Sequence, residues 1–364
     1  MKKFITSILT VIILFSLLGC DKQTSVSTGA ETRVTTVGSD SELNLSRVLD
    51  TDLKFTLIME TASGTSGAQF IAGFNRQCNE LGITPIVSDA AGSQDKMVSM
   101  LAVAVNQNVD AIIINNGRAD ALIPGVETAL KKGITVITKD VDLGLAGVST
   151  VDQDDYLLAL LSVKQMVADI DGTGNMVRGY APGFVPQERR YDMTKLYLSR
   201  YPDINEVAEF GPVSASTALD SQTKMEAILK QYPAIGDIVA IWCGWEEWAK
   251  GAARAVMEAG RADEIKIYST DMSDELLQML QDPENPYTAT AAIDIPMMAE
   301  VCVRMAVCDM AGEDVPAYYS FSGTLVKKSD LPSDKIITTD DLPEIIDGWG
   351  ENNDFRPVWM ENMN

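Results

Sequence analysis

The sequence predicts an α/β protein built as two doubly wound lobes, each a mainly parallel sheet covered by helices. Three observations predict it. From residue 53, short β-rich runs alternate with stretches of helical period. The β-rich runs are nearly all apolar, as strands covered by helices on both faces must be. The alternation also runs through twice, starting afresh near residue 152.

The N-terminus stands outside this pattern. "MKKFITSILTVIILFSLLGC" opens with Lys2 and Lys3, continues as an apolar run over residues 4–18 and ends in Leu17-Leu18-Gly19-Cys20. The run fits the core of a secretion signal and is short for a membrane span. The tetrapeptide resembles a bacterial lipobox, which implies a signal peptide over 1–19, cleavage before Cys20 and a lipid-bearing Cys20 as the membrane link. Residues 20–52, rich in Ser, Thr, Asp and Gly without an apolar period, read as a flexible tether.

The first series then begins. "LKFTLIME" (53–60) reads as a strand and residues 66–81 as a helix. "TPIVSDA" (84–90) precedes a helix with Met97, Met100, Leu101, Ala104 and Val105 on one face, and Ser93 is placed to cap it. "DAIIINN" (110–116) and "ITVITKDVD" (134–142) continue the series. In the second series "NMVRGYA" (175–181), "NEVAEFG" (205–211), "DIVAIWC" (237–243), "IKIYSTD" (265–271) and "YTATAAID" (287–294) read as strands separated by helices. Ligands of such sheets bind beyond the carboxyl ends of the strands, where loops diverge and helix N-termini point. The polar residues ending these strands are therefore the site candidates: Glu60, Asn115, Asn116, Asp140, Asp142, Asp271 and Asp294.

Composition excludes several functions. The formal net charge of −23, or −25 once Lys2 and Lys3 are removed, lacks the cationic footprint that nucleic acid demands. Histidine is absent, which excludes Ser-His and Cys-His catalysts and removes the commonest metal ligand. No phosphate-cradling loop occurs: "GTSG" (64–67) is not GxGxxG. Cys78, Cys243, Cys302 and Cys308 show no CxxC spacing and read as buried free thiols. No cofactor and no metal site are expected.

Taken in order and spacing, several stretches resemble a known family. They are "FTLIMETASGTSGAQFIAGFNRQCNELG", "VDAIIINNGRADALIPGVETALKKGITVITKDVD", "QERRYDM", "WAKGAARAVMEAG", "IYSTDMSDE", "AAIDIPMMAE" and "GEDVPAYYSFSGTLVKK". Over residues 53–328 the chain is similar to type I periplasmic solute-binding proteins of sugar ABC transporters, the ribose- and galactose-binding-like group. The resemblance implies two lobes joined by a three-strand hinge. Lobe one would be 53–151 plus 295–322 and lobe two 152–294 plus 323–328, with crossovers near 151–153, 293–296 and 322–324.

The same resemblance implies site residues. Asp140 matches an aspartate ending the fourth strand, and Val141 stands where relatives commonly carry arginine. Arg189 matches a ligand-binding arginine, with Arg190 the alternative if the register slips by one. Asp271 matches a ligand-binding aspartate or else caps the next helix, and Asp294 matches a polar hinge residue. Carboxylates and guanidinium groups suit vicinal hydroxyls because charged hydrogen bonds are the stronger ones. Ser66 and Gly67 stand where ribose-binding relatives place two phenylalanines, and Ser216 replaces a further aromatic.

The "IWCGWEEWAKG" run (241–251) holds three of the five tryptophans and is the candidate replacement for that aromatic wall. Trp245, flanked by Glu246, either stacks on ligand or staples its helix to the sheet. Trp242 faces either way, and Trp248 reads as packing. The acidic extension 329–364, with nine acids and two bases, lies outside the resemblance. It either packs on lobe two, serves a partner, or is disordered in its last half.

The expectation is a lipid-anchored, exported protein that captures a sugar or sugar-like molecule and delivers it to an ABC permease, without catalysis. Two alternatives stay open: signalling to a membrane chemoreceptor or kinase, and a non-sugar ligand such as a nucleoside.

Overall fold

Alternation of side chains along the strands decides the layers of this protein. The structure is a computed structural model and describes residues 43–49 and 52–363. After a single turn, α1 (Ser46–Leu49), come β1 (Lys54–Met59), α2 (Thr65–Glu80), β2 (Thr84–Asp89), α3 (Gln94–Asn106), β3 (Ala111–Asn115), α4 (Ala119–Lys131), β4 (Thr135–Lys139) and β5 (Val148–Gln153). The chain then crosses into a second series: α5 (Asp155–Asp169), β6 (Gly174–Gly179), α6 (Val185–Leu198), β7 (Ile204–Phe210), α7 (Thr217–Gln231), β8 (Ala240–Cys243), α8 (Glu246–Glu258), β9 (Lys266–Thr270), α9 (Asp274–Gln281) and β10 (Tyr287–Ala292). It returns for α10 (Ile295–Ala311) and β11 (Tyr318–Phe321), crosses again for β12 (Thr324–Lys327), and ends in an extension that carries α11 (Leu342–Ile345).

The result is two six-stranded sheets, ordered β11-β5-β4-β3-β1-β2 and β12-β10-β9-β8-β6-β7. Within both sheets the pairings are parallel except that of β10 with β12. In lobe one, Phe55, Leu57, Ala111 and Ile113 face the layer of α2 and α10. Their neighbours Ile58, Ile112 and Ile114 face the layer of α3 and α4. Every residue of β3 is buried, which is why its sequence reads as a continuous apolar run. Close approach of α2 to α10 requires Gly73, where a Cβ would lie 2.1 Å from the Pro296 carbonyl oxygen.

Lobe two repeats the scheme. Along β8, Ile241 and Cys243 face α7, α8 and α9, while Ala240 and Trp242 face α5 and α6. Three crossovers join the lobes: β5 into α5, β10 into α10, and β11 into β12. Cys78, Cys243, Cys302 and Cys308 are buried free thiols, and burial pushes Cys78 up to about 12, so they pack as small apolar groups.

Two expectations are corrected at the ends of the fold. A tether reaching to residue 52 does not hold, because residues 43–49 already belong to lobe one. Asn44 N–H donates to the Ala311 carbonyl at 2.8 Å, Arg47 donates to the Gly133 carbonyl at 2.7 Å, and Val48 is buried in the core beside α10. A single turn with one buried apolar residue shows no period in the sequence. Disorder in the last half of the acidic extension does not hold either. That half is folded: Trp349 is buried in the lobe-two core, and from Asn352 on it lies against lobe one, with Met360 and Met363 in that lobe's core. The signal peptide, Cys20 and most of the tether lie outside the described residues, and no helix among the described residues is long and apolar enough to cross a membrane.

Candidate functional site

The carboxyl ends of the strands in both lobes turn toward the interlobe cleft, and three of them do so on strained backbone. Asn116 after β3, Asp140 after β4 and Asp271 after β9 have φ of 61°, 56° and 75°. Asn and Asp tolerate this left-handed conformation better than other residues with a Cβ. At two of these points the conformation carries a carboxylate past the strand end, where Asp140 meets Lys139 and Asp152, and Asp271 meets Arg190.

Two arginines from the first turns of α6 reach the same region, and one of them meets Asp271. Arg190 is buried and its donors are shared among four partners. Nε donates to Asp155 at 2.9 Å, Nη1 to the Gly244 carbonyl at 2.6 Å, to Thr270 Oγ1 at 2.7 Å and to Asp271 at 2.8 Å, and Nη2 donates to Asp271 at 3.0 Å. The two contacts to Asp271 form a bidentate pair. Arg189 is the more exposed of the two, with its side chain 27% exposed, and its Nη1 donates to Asp152 at 3.0 Å and lies 3.5 Å from Asp155. Tyr318 Oη also donates to Asp152, at 3.2 Å. Asp152 is the next-to-last residue of β5 on the lobe-one side, so Arg189 of lobe two grips the hinge itself.

Charge crowding follows. Burial, the Asp140 carboxylate and contact with its side chain raise Asp152 above the usual carboxylate range, against the pull of Arg189. Asp155 is pushed up to about 6, first by burial and then by Asp140 and Asp271, against the pull of Arg190. Asp140 is paired with Lys139 through its other oxygen. Glu246, fully buried in the first turn of α8, is held well above the usual range by burial and then by Asp271, with Lys250 opposing.

Unsatisfied polar atoms gather at the same place. Among the described residues, eight buried side-chain atoms lack a hydrogen-bond partner, and five of them belong to Asp140, Asp152, Gln153, Gln187 and Glu246. Native interiors leave few such groups, so a cluster of them marks a place where something else supplies hydrogen bonds. Gln187 ties into the cluster by donating to the Gly244 carbonyl, which Arg190 also engages.

The structure thus brings Asp140, Arg189 and Asp271 together around Asp152, Asp155 and Arg190, with Glu246 near enough to Asp271 to feel its charge. Both arginines take part, and it is Arg190 that holds Asp271. Asp271 is not a helix cap, because Ser273 caps α9. Three other candidates lie apart. Glu60 accepts from Gln94 at 2.8 Å on lobe one, Ser66 sits half-buried in the first turn of α2, and Asp294 caps α10 by accepting from Met297 N–H at 2.9 Å. None of the three bonds to the arginine network.

The tryptophans separate cleanly. Trp242 is buried and donates to Ser162 Oγ at 2.9 Å on the far face of the sheet. Trp248 is buried and donates to the Pro212 carbonyl at 2.8 Å. Trp245 is half-buried at the start of α8, with its ring edge-on to Trp248 at 5.6 Å. Sequence reasoning missed Asp152 and Asp155. Their signal was the acidic "VDQDD" run at the first crossover, a place from which carboxylates reach the "QERR" arginines across the hinge.

Known proteins carry the same architecture. The family model described as periplasmic binding protein domain matches residues 55–314. A solved 5-methylthioribose transporter solute binding protein from Thermotoga lettingae TMO, in complex with 5-methylthioribose, is 35% identical with a TM-score of 0.80, over 85% of this chain and 98% of that one. A sugar ABC transporter structure from Yersinia enterocolitica is 30% identical with a TM-score of 0.80, over 86% of this chain and 94% of that one. The xylitol-binding protein of Mycolicibacterium smegmatis is 29% identical over 218 residues, 58% of this chain and 59% of that protein's length.

Proposed function

The chain belongs to the periplasmic binding protein family, and from that premise we propose that it captures a small polyhydroxylated molecule, a pentose or pentose derivative, between its lobes and hands it to an ABC permease. The observation that carries this reading is the interlobe network with its orphaned acceptors. Asp140 and Asp152 each keep a buried oxygen without a donor, and hydroxyl groups are the donors that fit. Arg189 commits one nitrogen to carboxylates and offers the rest of its fork to ligand oxygens. Trp245 supplies the half-buried ring against which an apolar sugar face or substituent packs. Nothing in the network is a nucleophile beside a base, so the site binds and releases without bond-breaking. The Thermotoga structure, bound to 5-methylthioribose, supports the pentose class.

A thermal-shift panel of pentoses, 5-alkylthio pentoses, pentitols and nucleosides tests this. A true ligand at 100 times its Kd adds about 2.7 kcal/mol to stability. Stabilisation by nucleosides alone would overturn the sugar reading. Export and attachment through a lipid on Cys20 are part of the same proposal. Cys20→Ala is expected to move the protein from the membrane fraction to the soluble exported fraction, and unchanged membrane association would contradict it.

A further inference from the structure

The acidic extension crosses the hinge. We propose that residues 328–363 act as a strap, a fourth connection between the lobes, that limits the amplitude of their relative rotation. The proposal rests on the reading that the lobes rotate about the hinge, and its test needs no ligand.

The strap is anchored at both ends. On lobe two, Ile337, Leu342, Ile346 and Trp349 are buried in the core that α7, α8 and α9 share. Gln281 donates to the carbonyls of Pro332 at 2.6 Å and Lys335 at 2.7 Å and accepts from Ile337 N–H, and Asp274 accepts from Thr339 N–H at 2.8 Å. On lobe one, Met360 and Met363 are buried beside α10. Buried Arg304 donates to the Asn352 carbonyl at 3.1 Å, Asn352 donates to Tyr319 Oη at 2.8 Å, Arg356 pairs with Glu80 at 2.6 Å, and Trp359 donates to Glu313 at 2.9 Å. The whole segment lies beyond the stretch matched by the family model.

Between the anchors the crossing is short. Trp349 belongs to the lobe-two core and Asn352 is already bonded to lobe one. Three residue steps reach about 10 Å when fully extended, so little slack exists. The crossing turns on Gly348 and Gly350, with φ of 75° and 69°. At Gly350 a Cβ would lie 2.6 Å from Asp294 Oδ2, the carboxylate that caps α10 at the second crossover. Cavities of about 300 and 330 Å³ flank the crossing, one against β11 and the third crossover, the other against α2 and α10. The strap can therefore swing beside the hinge, but it cannot lengthen without unseating an anchor.

Spin labels on V103C of lobe one and I235C of lobe two, both exposed positions, read the interlobe distance in the full chain without ligand. A C20S background and the buried native thiols leave only the introduced cysteines reactive. Inserting Gly-Gly-Ser-Gly between Glu351 and Asn352 adds up to about 13 Å of reach while leaving both anchor sequences intact. The insertion is expected to widen the distance distribution by several ångströms. Met360→Asp, which unseats the lobe-one anchor and leaves the crossing unaltered, is expected to widen it in the same way. If either folded variant keeps the parental distribution, the strap does not limit the motion and the proposal is overturned. Failure of every sugar to bind would leave this outcome unaffected.

Discussion

At the scale of single residues the hinge side of the cleft is a chain of alternating charges, Asp152, Arg189, Asp155, Arg190 and Asp271, with the Asp140 carboxylate crowding its first member. Burial makes it tense. Asp155 is fully buried and has its carboxyl raised from 3.8 to about 6, so the folded protein holds that proton more tightly than the unfolded chain does. The stabilising contribution of the protonated form is complete below pH 4 and is lost as the pH rises through 6. That tighter hold on the proton corresponds to a loss on the order of 3 kcal/mol. Denaturant titrations of the parent and of Asp155→Asn measure it: the stability difference should move against the parent between pH 4 and 7 and be flat above. A pH-independent difference would show that Asp155 titrates normally.

At the scale of elements, α8 shows how one short sequence serves two purposes. Trp245 stands at its N-cap, half-buried with its ring against Trp248 and the edge of the lobe-two core, Glu246 is buried in its first turn, and Trp248 and the small residues behind it belong to that core. Trp248→Ala should cost about 3–5 kcal/mol, as loss of a large buried aromatic does. Trp245→Ala should cost much less stability and should instead weaken ligand binding and remove the fluorescence response to ligand. Equal stability losses with unchanged binding would make Trp245 a packing residue. The helical and strand periods were legible because each element buries a continuous face, as β3 and α3 do. The tryptophan facings were not legible, since period alone does not tell which sheet face Trp242 occupies at the end of a four-residue strand. The short docking turn at Val48 and the extension's anchors at Met360 and Met363 escaped for the same reason: isolated apolar residues in polar sequence carry no period.

At the scale of the whole molecule, two sheets end on one cleft and a network of charges spans it at the hinge. The fold followed from the twofold βαβ alternation, whereas the network is a tertiary product. Asp152 and Arg189 are 37 residues apart and meet only because β5 and α6 converge at the first crossover. If this network binds sugar hydroxyls, removing its half-exposed arginine must weaken the capture of sugar. Calorimetric titration of a pentose and pentose-derivative panel into the parent protein and into Arg189→Ala measures that loss. Saturable binding of at least one member to the parent is expected, with at least a roughly tenfold weaker affinity, about 1.4 kcal/mol, in the variant. No heat from any pentose, pentose derivative or pentitol, or equal affinity in the two proteins, would contradict it.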